Sequence, residues 1–362
     1  MPNEGMSVVR RSLGAVLVFI IWTPSTPAVF PLGWFRSAQT LDEINRKLHG
    51  KVLDFTFNHG CDRRIYSAAL DAKRDLYVYL PPGYDPSQKY PLVFFLHGFS
   101  QDENTFLKFV TQFDQQIACG HLPPLIVVAP DGSIRGRATL LNGGSFYVNS
   151  KAGRFEDYIM RDVWEFMHRR FPIRPEREAH VMLGGSMGGF GAYYLSIKHR
   201  DRIGVVAAVF PPLNLRYLDC HGRYFSNFDP NCYSWRTRIR YFAPIGRYYG
   251  GLVTIREHRL IRPLYGLSRD ATAVLAPNNP VEMLESYNVQ PGELEMFVGY
   301  VGRDEFNLDA QVESFLYFAR CRGLQVSSVY LPDGKHSIES ARKLLNPLLI
   351  WLSPRIAPYS PQ

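Results

Sequence analysis

A chain of 362 residues with 46% hydrophobic and 20% charged side chains can bury one sizeable core, or one core and a cap, which excludes a disordered or fibrous protein. The formal net charge is +8, but the surplus is local: residues 215–270 hold ten arginines, no lysine and four acids. The whole surface therefore need not be a polyanion binder. The five cysteines form no C-x-x-C, and no H-E-x-x-H occurs, so neither a metal nor another cofactor is expected.

Taken in chain order, Arg10-Arg11 precedes the uncharged run Leu13–Trp22, and Thr23-Pro24-Ser25-Thr26-Pro27-Ala28 follows. A positive start, a short apolar stretch and a small residue at a cleavage point predict an export signal over residues 1–28. The run is short for a bilayer span, so an uncleaved N-terminal anchor is the lesser alternative. Residues 29–362 then carry the folded domain. Strands are predicted at Leu53–Phe57, Leu76–Leu80, Pro91–Leu96, Leu125–Ala129, Ala179–Leu183, Gly204–Phe210, Glu295–Tyr300 and Val326–Leu331. Helices are predicted at Asp102–Ala118, Phe155–Arg170, Met187–Arg200, Leu308–Arg322 and Ile338–Leu352. Alternation of apolar strands with amphipathic helices argues for a mostly parallel central sheet flanked by helices on both faces. Between the sixth and seventh core strands lies a long insertion, residues 211–294, expected to be helical or irregular and to form a lid or cap.

The chemistry concentrates at Gly184-Gly185-Ser186-Met187-Gly188-Gly189, which joins a strand to a helix. A G-x-S-x-G run in that context makes a nucleophile elbow, a turn so sharp that glycines must flank the serine. Such a serine needs a base, an orienting carboxylate and an oxyanion hole. His336, after the last strand and before the terminal helix, is the base that the order Ser, Asp, His requires. Asp304 follows the preceding strand and is the first choice for the carboxylate, with Glu305 and Asp309 as alternatives. Asp333 sits in Pro-Asp-Gly and reads as turn chemistry. The oxyanion donors are expected to be the backbone amides of Met187 and of Phe99, in the loop His97-Gly98-Phe99-Ser100. His97, Gly98, Tyr147 and Asn149 are expected to contact substrate.

Tyr77-Val78-Tyr79-Leu80-Pro81-Pro82-Gly83-Tyr84-Asp85, then Tyr90-Pro91 and Leu96-His97-Gly98, together with the Ser-Met-Gly-Gly elbow, resemble the putative-esterase family of α/β-hydrolases. That group includes feruloyl and acetylxylan esterases, S-formylglutathione hydrolases and mycolyltransferases. Gly302-Arg303-Asp304 and Gly334-Lys335-His336-Ser337 match where the family places its acid and histidine. The resemblance implies an α/β-hydrolase fold and a serine esterase acting through an acyl-enzyme on an exported, carbohydrate-borne or similar ester. The same triad would serve an acyltransferase, and a binding protein on a hydrolase scaffold is the reading from a different class.

The insertion interleaves its arginines with eleven aromatic residues between 215 and 270, among them Tyr224, Phe225, Tyr233, Trp235, Tyr241 and Phe242. A ligand-binding lid and a packed subdomain with a solvated basic face are both open readings. An ester substrate rather than nucleic acid is the expected partner, with membrane contact only through an uncleaved N-terminal segment. Cys220 and Cys232, twelve apart, are the expected disulfide of an exported protein, with free thiols in a core as the open alternative.

Overall fold

The computed structural model describes residues 40–138, 144–248 and 251–361. The segment read as an export signal lies outside them. Eight strands form one sheet: β1 Lys51–Phe55, β2 Leu76–Leu80, β3 Leu92–Leu96, β4 Ile126–Pro130, β5 His180–Gly185, β6 Val205–Val209, β7 Glu295–Arg303 and β8 Val326–Lys335. Their spatial order is β1-β2-β4-β3-β5-β6-β7-β8. β2 pairs antiparallel with both β1 and β4, and every other pairing is parallel.

β2, β3, β4 and β6 are buried along their whole length, which is why they read as continuous apolar runs rather than alternating ones. Successive side chains still go to opposite faces. Leu76, Val78, Phe94, Val128, Met182 and Val206 face one core, and Tyr77, Tyr79, Val93, Val127, Val181 and Val205 face the other. The first core is covered by α2 (Trp164–Arg170), α3 (Met187–Lys198) and α4 (Leu308–Cys321). The second is covered by α1 (Val110–Ala118) and α5 (Ile338–Ile356). Strand order reverses beside β3, so the loops after β3 and β5 open next to one another at the carboxyl edge, where α/β sheets place their ligands.

Four expected elements differ in detail. The helix expected from Asp102 begins as a 3₁₀ segment, Glu103–Lys108, capped by the Asp102 carboxylate on the Asn104 N–H, before α1 starts. The helix expected from Phe155 passes through a π-helical stretch, Tyr158–Val163. Finally, β7 and β8 run past their expected ends to Arg303 and Lys335. A Cβ on Gly302 would come within 2.5 Å of the Pro332 carbonyl, so only glycine lets the two strands stay together there.

Residues 211–294 stand between β6 and β7. They contain two hairpins, Tyr217–Asp219 with Tyr233–Trp235 and Pro244–Tyr248 with Val253–Arg256. Helices His258–Tyr265, Ala271–Leu275 and Pro280–Ser286 follow. This corrects the expectation of a purely helical or irregular insertion: strands of three to five residues are too short to display alternation in sequence. Cys220 and Cys232 are bonded and close the loop of the first hairpin, while Cys61, Cys119 and Cys321 are exposed thiols. Ile239, Ile261, Ala271 and Leu275 give the insertion a small core of its own, whereas Val281, Met283 and Leu284 join the main core.

Candidate active site

Ser186 lies between the end of β5 and the first residue of α3, with φ 54° and ψ −120°. For a residue with a Cβ this is a strained conformation, held by its surroundings. The Ser186 N–H donates to the Val209 carbonyl at 3.0 Å, and its carbonyl accepts from the Phe190 N–H at 3.0 Å. The flanking glycines are required by contact: a Cβ at Gly184 would lie 2.3 Å from the Gly188 carbonyl carbon, and one at Gly188 would lie 1.9 Å from the Leu96 oxygen. The crossing of α3 over β3 and β5 thus leaves no room for a side chain beneath the serine.

His336 Nε2 is 3.0 Å from Ser186 Oγ, and His336 Nδ1 is 2.9 Å from Asp304 Oδ2. A proton on Nδ1, donated to the carboxylate, leaves Nε2 free to accept from the serine hydroxyl. Asp304 is completely buried, and its second oxygen accepts from the Phe306 N–H at 2.8 Å. The imidazole packs between the rings of Phe210 and Phe306, at 4.5 and 5.0 Å between centroids. The two alternative acids take other positions. Glu305 accepts from the His336 backbone N–H at 2.9 Å, fixing the loop rather than the ring. Burial, with the neighbouring Asp304 charge, pushes the Asp309 carboxyl up to about 6. Asp333 is an exposed partner of Arg303.

Met187 is the first residue of α3, so its N–H has no acceptor one turn back and faces the positive end of the helix. Phe99 and Gly98 line the same cavity as Ser186 and His336. Met187, the other expected oxyanion donor, lines it too. His97 also borders the cavity, but both its nitrogens are occupied. Nε2 accepts from the Gly132 N–H at 2.8 Å and Nδ1 lies 2.9 Å from the Gly98 carbonyl, so the ring pins the loop in a neutral form. Tyr147 and Asn149 correct the sequence reading. Tyr147 is fully buried against Gly132 and Gly191, with its hydroxyl donating to the His97 carbonyl at 3.0 Å. Asn149 is exposed and pairs with Asp157. Neither lines the cavity: left-handed backbone at Phe146 and Tyr147 turns this segment into the body of the protein.

The cavity has a volume of about 960 Å³ and a mainly apolar wall. Its floor is the sheet edge, and its roof is the insertion, through Ile245, Val253, Ile255, Leu260, Ile261 and Leu264. Four polar residues of the insertion also reach it, Tyr224, Arg236, Glu257 and Arg259. Arg236 and the buried Glu257 form an ion pair at 2.5 Å. Tyr224 sits at a junction: its hydroxyl donates to the Phe306 carbonyl at 2.7 Å and accepts from Gln311 Nε2 at 2.9 Å, while Asn307 Nδ2 donates to the Tyr224 carbonyl at 2.8 Å. Sequence reasoning singled out Tyr224 only as one of many aromatics, because its partners lie more than 80 residues away.

A Ser–His–Asp relay at the carboxyl edge of a sheet with this strand order defines an α/β-hydrolase. Within that class the chain belongs to the Putative esterase family, whose model matches residues 67–340. It is 31% identical over 162 residues to endo-1,4-beta-xylanase Y of Acetivibrio thermocellus, covering 41% of this chain and 14% of that protein. It is 28% identical over 192 residues to S-formylglutathione hydrolase of Arabidopsis thaliana, covering 46% of this chain and 66% of that one. Among solved structures, a ferulic acid esterase superposes with a TM-score of 0.61 at 19% identity, over 85% of this chain and 99% of the other. The chain thus spans less than two thirds of the length of these curated relatives.

Proposed function

We propose that the chain is a serine carboxylic-ester hydrolase acting through an acyl-enzyme on an extracytoplasmic ester, such as an esterified carbohydrate. The observation that carries this reading is the unbroken line Asp304–His336–Ser186, with links of 2.9 and 3.0 Å, opening into a roofed apolar cavity. In the first half-reaction His336 Nε2 takes the Ser186 proton as Oγ attacks the ester carbonyl. Asp304 stabilises the imidazolium, and the amides of Phe99 and Met187 receive the oxyanion. The imidazolium then returns the proton to the leaving alcohol, and water activated by the same histidine releases the acid. A binding protein would have no use for an imidazole held between a buried carboxylate and a strained serine. The Cys220–Cys232 disulfide and the Arg10-Arg11 and Leu13–Trp22 pattern support export.

Turnover of a short-chain aryl ester is the test. Ser186→Ala, folded as judged by its melting, is expected to lose on the order of 10⁴-fold or more in kcat. Equal turnover by both proteins would refute the assignment.

A further inference from the structure

We propose that the outer face of the inserted roof is a docking surface for anionic lipid membranes, from which the enzyme draws its ester. The second half of this inference rests on the esterase reading above.

In the second hairpin, Ile245, Val253 and Ile255 line the cavity, while Arg247, paired across the strands with Thr254, and Arg256 are exposed. In the helix His258–Tyr265, Leu260, Ile261 and Leu264 line the cavity, Arg259 both lines it and is exposed, and Arg262, one turn on, is exposed outside it. Each element therefore turns apolar side chains to the cavity and most of its arginines to solvent, Arg259 alone of these reaching the cavity as well.

Acids are few on that outer side, exposed Asp270 beside Arg269 and Arg238 being one. Residues 230–269 contain eight arginines and a single acid, Glu257, which is buried and paired with Arg236. The other seven, Arg238, Arg240, Arg247, Arg256, Arg259, Arg262 and Arg269, are all exposed and form no ion pair among the described residues. Interleaved with them, Phe242, Leu252 and Leu267 are 76%, 89% and 70% exposed. Protruding apolar side chains among unpaired cations match the boundary between acidic headgroups and acyl chains. A single-stranded nucleic acid would instead call for a row of exposed rings on which bases stack, and two of these three are aliphatic. No helix among the described residues is long and apolar enough to cross a membrane.

The test is cosedimentation of the full chain with phosphatidylcholine vesicles, with and without about 30% phosphatidylglycerol, at low and high salt. The comparison protein is the triple variant Arg238→Gln, Arg256→Gln, Arg262→Gln, whose altered residues lie outside the cavity wall. Both proteins share the N-terminal segment, so any difference between them reads the arginines. The expected result is a preference of about tenfold or more for anionic vesicles, weakened by salt and lost in the variant, with turnover of a soluble aryl ester equal in the two. Equal binding of parent and variant to anionic vesicles would overturn the proposal. So would tighter binding of the parent to a single-stranded oligonucleotide than to vesicles. Vesicle binding as expected, without ester turnover by either protein, would refute the esterase reading and leave the docking surface standing.

Discussion

The floor and the roof of the cavity reach comparable order by opposite means. Ser186 is placed by continuity: a buried strand, a strained turn and a helix start in which Gly184 and Gly188 meet backbone at van der Waals limits. The roof has no such frame. A disulfide closes its first hairpin, the Arg236–Glu257 pair holds its middle, and Tyr224 ties it to the loop bearing the acid. Packing fixes the nucleophile, whereas a few polar ties that cross long stretches of chain fix its acid partner.

That contrast can be broken from either side. The largest effect is expected from Gly188→Ala, whose methyl would have to displace the Leu96 backbone. A loss of about 3 kcal/mol or more in denaturant unfolding, together with loss of activity, is expected. Retained activity at unchanged stability would show the floor to be softer than argued.

Glu103→Gln probes the floor by pH. Burial, aided by the Asp131 and Asp102 charges, pushes the Glu103 carboxyl up to about 8, while Asn58 and Asn104 donate to its Oε1. The folded state then binds a proton that the unfolded state has released. Stability from this group is full below the ordinary glutamate range and is lost as pH rises to about 8, by on the order of a few kcal/mol. The melting temperature of the parent should fall across that window more steeply than that of the glutamine variant. Parallel curves would remove the claim.

In the roof, replacing Cys220 and Cys232 together by serine should cost about 2–3 kcal/mol through the freed loop. Urea melts of the two proteins measure it, and coincident curves would mean that the clamp is dispensable. The smallest effect is expected from Tyr224→Phe, which removes one donated and one accepted hydrogen bond. We expect kcat to fall about tenfold, with KM and the melting temperature nearly unchanged. A fall in stability with intact kcat would make Tyr224 a packing residue instead of a positioning one.

The same contrast explains what was legible in the sequence. β2 to β6 declared themselves because a strand buried on both faces is an unbroken apolar run, and the elbow because only glycine fits around Ser186. His336 and Asp304 followed from their places after successive strands, and Cys220–Cys232 from spacing within the insertion. The misreadings fall where tertiary contact overrides local pattern. Tyr147 sits in a loop that looks accessible in sequence but turns inward through residues with positive φ, and Asn149, two residues on, is exposed away from the cavity. Glu305 was weighed as a rival to Asp304, yet it holds the backbone of the histidine instead. The roof hairpins are too short to show a period, and Tyr224 acts through partners no local window contains.

The bond from Tyr224 to the Phe306 carbonyl, with those from Asn307 and Gln311, also limits how this scaffold can be remodelled. The insertion is not a cassette that can be exchanged on its own. A donor roof lacking an equivalent of Tyr224 would remove the hydroxyl that joins the Phe306 carbonyl to Gln311 Nε2, and the acid loop would lose that part of its brace. Recombination between relatives should therefore tolerate crossovers that keep residues 224 and 304–311 from one parent and reject those that split them.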